Sequence, residues 1–123
     1  LIHDLGEAFT GDIPTFEKTE ENERTEEQLL REWVAALPKV CRDEMTALYD
    51  EMERRESLES RIYKAIDNLE AVIQHNFSDL STWIQREYEL NKTYGDDKVA
   101  FSPYLTALRE EVRQDTLRKI GEI

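Results

Sequence analysis

The chain reads as an all-α domain. Only four glycines and three prolines interrupt its 123 residues. Strand-type alternation is nearly absent, and apolar residues recur at spacings of three and four. This length fits one domain, 1–123. Hydrophobic residues make up 39% and charged residues 36%, more charge than average but enough periodic apolar surface for a core.

Residues 1–9 read as the C-terminal part of a helix. The chain opens on Leu1 in the middle of that pattern, so an upstream segment is expected to be missing. Gly11 and Pro14 end the helix and begin a loop. The run Thr19-Glu20-Glu21-Asn22-Glu23 reads either as solvated loop or as the first turn of the next helix, where negative charge suits the dipole. Leu29, Leu30, Trp33, Val34 and Leu37 mark one face of a helix over roughly 22–37. Pro38 ends it and fits the first turn of another. Cys41, Met45, Leu48, Tyr49 and Met52 carry that second helix to about Arg55. Ser57 is a candidate N-cap for a third, whose stripe is Leu58, Ile62, Ala65, Ile66, Leu69, Val72 and Ile73. Leu80, Trp83, Ile84 and Tyr88 predict a fourth helix ending near Gly95. Ser102-Pro103 starts a last one, with Phe101, Tyr104, Leu105, Leu108 and Val112 on its buried side.

The net charge of −12 repels phosphate backbones and anionic lipid, so neither nucleic acid nor membrane is an expected partner. The mean hydropathy of −0.71 and the lack of a long apolar run exclude a transmembrane helix. Cys41 is the single cysteine; it fits a reducing compartment, the cytoplasm, as a small core residue. Trp33, Trp83 and the tyrosines read as core, His75 as structural or exposed. Glu20, Glu21, Glu23, Glu26 and Glu27 read as a solvated acidic face.

The first twelve residues carry the chemistry. His3, Asp4 and Glu7 cluster within two helical turns, and Asp12 follows Gly11. An imidazole beside a carboxylate suits Mn, Fe, Co, Ni or Zn. Glu7 shares the helical face of His3 and Asp4, where a carboxylate is a candidate general base. Two ligands do not close a catalytic metal site, so others must come from later in the chain or from the absent segment. In the third helix Asp67 falls opposite the apolar stripe. Periodicity alone marks it as solvated; the sharper reading packs its face against a segment this chain lacks.

The pair His3-Asp4, then Glu7, then Gly11-Asp12 followed by Ile13-Pro14, resembles the central motif of the HD-domain metal-dependent phosphohydrolases. More closely it resembles their 5′-deoxynucleotidase branch, acting on deoxyribonucleoside monophosphates. That branch carries a later Lys-x-x-Asp-x-Leu-Glu, matched here by Lys64, Asp67, Leu69 and Glu70. The resemblance implies an HD-like bundle of five to six helices lacking its N-terminal helices. It implies one divalent cation (Mn, Co, Fe, Ni, Zn or Mg) held by His3, Asp4, Asp67 and a histidine before Leu1. It gives Glu7 the hydrolytic proton transfer and Asp12 the deoxyribose. A family arginine near the phosphate is also expected upstream. The implied substrate is a nucleoside 5′-monophosphate, hydrolysed to nucleoside and phosphate, and the implied assembly a homodimer. Short of a ligand, the chain as given is expected to be weakly active or inactive. Two other readings stay open: a non-catalytic interaction module on a degenerate HD fold, and a phosphodiesterase of cyclic or dinucleotide substrates with the same metal motif.

Overall fold

A computed structural model describes residues 1–123 as seven α-helices and one 3₁₀ turn, without a strand. The all-α expectation is borne out. No helix is long and apolar enough to cross a membrane. The chain forms two compact units, Leu1–Ser57 and Leu58–Ile123.

In the first unit, residues 1–9 are not a continuous helix. Hydrogen bonds spaced by three residues wind the chain there: Leu5 N–H donates to Ile2 O (3.3 Å), Glu7 N–H to Asp4 O (3.0 Å) and Ala8 N–H to Leu5 O (3.1 Å). The one α-helical turn, α1 (Glu7–Thr10), lies between Gly6 and Gly11. Glycine disfavours a helix interior, and Gly11 leaves it at φ 82°, a conformation open to glycine. Helix α2 (Glu20–Ala35) starts earlier than the apolar pattern does. Thr19 Oγ1 accepts from Asn22 N–H (3.1 Å) and Asn22 Oδ1 accepts from Thr19 N–H (2.9 Å). This capping box settles the acidic run as a first helical turn. After Pro38 comes α3 (Lys39–Arg54).

Leu30 and Val34 of α2 meet Tyr49 of α3 in the unit's core, with Ile2, Met45 and Met52 packed around them. The Tyr49 hydroxyl donates to Ile2 O (2.9 Å) and fastens the N-terminal segment to α3. Arg31 joins the same helices through Asp50 (2.8 Å) and Glu53 (3.1 Å). Several core expectations fail, Leu29 and Leu48 among them, both exposed. Trp33 is 41% exposed, its ring 6.1 Å from that of Phe9, because Leu30 and Val34 face the core and residue 33 lies about 100° round the helix. Cys41 is only half-buried, in the first turn of α3.

The second unit contains α4 (Leu58–Phe77), the 3₁₀ turn Leu80–Thr82, α5 (Gln85–Leu90), α6 (Asp96–Val99) and α7 (Pro103–Ile120). Ala65, Leu69 and Val72 of α4 pack with Val99, Leu105 and Val112. The predicted fourth helix is broken into pieces. Asp79 caps the 3₁₀ turn by accepting from Ser81 N–H (2.8 Å), and Trp83 and Ile84 are extended. Gly95, at φ 84°, lies so close to α4 that a Cβ would stand 3.0 Å from Asn68 Cβ.

Helix α7 starts as expected, with Ser102 Oγ accepting from Leu105 N–H (3.2 Å) and Pro103 in the first turn. Its buried row is Leu105, Arg109, Val112 and Thr116. Tyr104 and Leu108, expected on that side, are exposed. Arg109 is 1% exposed; its Nε donates to Asp96 Oδ1 (3.1 Å) and its Nη2 to Asn91 O (2.8 Å). Fully buried Asn91 meets His75 Nδ1 through its Oδ1 (2.9 Å), and His75 O accepts from the buried Trp83 Nε1 (2.9 Å). His75 is thus structural.

Candidate functional site

The N-terminal turns bring His3 and Asp4 side by side. His3 Nε2 lies 3.2 Å from Asp4 Oδ2, and both side chains reach solvent. This separation suits two neighbouring ligands of one divalent ion, each about 2.1 Å from it. One nitrogen and one oxygen donor fit the borderline transition metals, so the donor set matches the expected cation.

Glu7 follows at the start of α1 and is half-buried. Burial first, then the carboxylates of Asp4, Asp12 and Glu26, push its carboxyl above the ordinary glutamate value, with Lys18 pulling the other way. A carboxylate so raised holds a proton more readily, which is what a general base needs. Asp12, just past Gly11, is exposed on the loop between α1 and α2. Asp67, in the second unit, extends from the middle of α4; its side chain is 35% exposed and its Oδ2 lies 3.7 Å from Lys64 Nζ. The half-burial departs from the fully solvated position that periodicity alone implies.

Two residues near Glu7 were not singled out by the sequence pattern. Lys18 Nζ donates to Glu26 Oε2 (2.8 Å), and the two side chains are only 20% and 17% exposed. Glu26 therefore leaves the solvated acidic face where the charge run puts it. A signal was available: Glu26, Leu30 and Val34 stand four residues apart, so Glu26 extends the buried stripe by one turn. Burial pulls the Lys18 ammonium down, but its bond to Glu26 and the Glu26 and Glu7 charges outweigh this and leave it raised.

A family model described as HD domain matches residues 1–109. Among curated proteins, the Homo sapiens protein named 5′-deoxynucleotidase HDDC2 is 33% identical over 76 residues, 60% of this chain and 37% of that protein. Its Mus musculus namesake is 33% identical over 76 residues, covering 60% of this chain and 38% of its own length. In Danio rerio the protein of that name is 34% identical over 83 residues, 65% of this chain and 42% of its own. The matched stretch is thus about two fifths of the length of these relatives. No solved structure matches the chain.

Proposed function

Because the chain belongs to the HD-domain family, we propose that it carries the catalytic motif of a metal-dependent phosphohydrolase acting on nucleoside 5′-monophosphates, deoxy forms first. The observation that carries this reading is the His3–Asp4 pair, 3.2 Å apart, one short step from the raised carboxyl of Glu7. The names of the relatives support the substrate class.

In this reading His3, Asp4 and Asp67 are ligands of one divalent cation. Such an ion, when bound, polarises a phosphoryl oxygen and makes nearby water more acidic. Glu7 accepts a hydrogen bond from the attacking water and takes its proton as the P–O bond to the sugar breaks. The leaving alkoxide is released as the sugar 5′-hydroxyl after protonation, and the other product is inorganic phosphate. Asp12, beyond the flexible Gly11, accepts a hydrogen bond from a sugar hydroxyl. The carboxylates at the site repel a phosphate dianion, so the cation also reverses the local field. The protein is proposed to work as a homodimer.

The test uses the protein as its gene encodes it, loaded with Mn²⁺ or Co²⁺, against deoxy- and ribonucleoside monophosphates, cyclic nucleotides and dinucleotides. Phosphate release from the 5′-monophosphates is the expected result. Turnover of cyclic or dinucleotide substrates alone would replace this reading with a phosphodiesterase, and no turnover of any with an interaction module. Elemental analysis supplies a second check: His3→Ala and Asp67→Ala are each expected to lower bound metal at least about tenfold, and unchanged metal content in either removes that residue from the ligand set.

A further inference from the structure

We infer that Lys18 and Glu26 form a brace that holds Glu7 and the Asp12 loop in working position. The inference rests on the catalytic assignment of Glu7 proposed above. Three observations within the first unit carry it.

Glu26 stands under the start of α1. Gly6 is buried, and a Cβ on it would lie 2.6 Å from Glu26 Cγ and 3.2 Å from Cδ. No larger residue fits at position 6 unless Glu26 moves. The backbone that leads into Glu7 therefore rests on the Glu26 side chain, which comes from the second turn of α2.

Lys18 ties the other end. It closes the loop from Gly11 that carries Asp12, and its ammonium meets Glu26 Oε2 at 2.8 Å. One carboxylate thus contacts both the segment before Glu7 and the segment after Asp12. A mostly buried ion pair is costly to desolvate and contributes little net stability; what it supplies is a fixed geometry between the two segments it joins.

The pair is also incompletely satisfied. Glu26 Oε1 is buried without a hydrogen-bond partner. For stability alone, a pair of neutral side chains of the same shape in place of both Lys18 and Glu26 serves as well or better. What a neutral pair does not supply is a charge-assisted tie between Lys18, at the end of the Asp12 loop, and the Glu26 side chain that lies against Gly6. Lys18 and Glu26 are positioning residues here; neither is assigned a contact with substrate.

The test compares K18M, E26Q, K18R and the double variant K18M/E26Q in the gene-encoded protein. The double variant leaves no unpaired charge behind, so it folds where a single variant fails. Two readouts are taken: steady-state kinetics on a 5′-monophosphate, and hydrogen exchange of the Glu7–Gly11 amides at matched global stability. K18M, E26Q and the double variant are expected to lower kcat by about ten- to a hundredfold with KM little changed, the size of a small misplacement. The double variant is expected to be no worse than the worse single, since the two side chains act as one unit. K18R is expected to recover most of the rate. Exchange of the Glu7–Gly11 amides is expected to speed up about tenfold or more while the rest of the unit is unchanged. A double variant with parental kcat and parental exchange overturns the brace and leaves the hydrolase reading intact. If the parent protein hydrolyses no nucleotide, exchange decides alone: faster exchange keeps the brace and discards the hydrolase reading, and unchanged exchange discards the brace too.

Discussion

In the second unit the buried cation Arg109 meets Asp96 and the Asn91 carbonyl, and Asn91 in turn meets His75. In the first unit the carboxylates of Asp4, Asp12 and Glu26 add to burial in pushing the Glu7 carboxyl up, and Lys18 is the cation that answers it. The second unit's core cluster is also the broader, joining α4 to α6 and α7, whereas that of the first is built on Leu30, Val34 and Tyr49. One unit spends its polar groups on holding a scaffold together. The other keeps like charges close, an arrangement that lowers stability and suits chemistry.

The largest expected effect lies on the strained side of this contrast. Glu7→Gln is expected to lower kcat by about 10²- to 10⁴-fold with metal content retained; a rate within about twofold of the parent would remove Glu7 from the proton transfer. Next comes the scaffold. Arg109→Met takes the guanidinium donor from the Asn91 carbonyl, while Asp96 keeps Arg113 as its partner, and is expected to cost about 2 kcal/mol in urea unfolding, with kcat unaltered wherever the protein stays folded. A lower kcat at unchanged stability would blur the division of labour between the units. Ser102→Ala, which removes the N-cap of α7, is expected to cost about 1 kcal/mol in the same assay.

The smallest effect is the most direct test of like-charge crowding. The folded-state carboxyl of Glu7 is raised, so its neutral form is favoured. Its favourable contribution is present below the ordinary glutamate pKa and is lost as pH rises through the raised value. Glu7→Gln is therefore expected to raise Tm slightly at neutral pH and to match the parent in acid. A lower Tm at neutral pH would show that the ionised Glu7 is well accommodated.

The four long helices were legible in the sequence because each has an apolar stripe at helical period; Pro38 and Ser102-Pro103 also marked the starts of α3 and α7, whereas the start of α2 was left open between loop and helix. Residues 80–99 were not, because their breaks depend on Asp79 capping a single turn and on Gly95 approaching Asn68, which are contacts rather than periodicities. Buried polar side chains escaped for a related reason. Arg109 and Thr116 occupy core positions of α7 that hydrophobicity cannot flag, and Glu26 was hidden within an acidic run. For the site, the adjacency of His3 and Asp4 and the position of Glu7 just after them follow from spacing along the chain. Lys18 was invisible because its importance comes from a partner eight residues away.

The two indoles offer a consequence of a different kind. Trp33 is 41% exposed in the first unit, and Trp83 is 8% exposed in the second. Their fluorescence should differ, with Trp83 emitting to the blue and Trp33 to the red and open to quenchers. Acrylamide is the better quencher, since a chain of net charge −12 repels iodide. A Trp33→Phe variant then isolates the signal of the second unit, so that thermal melting can be followed one half at a time without any attached dye.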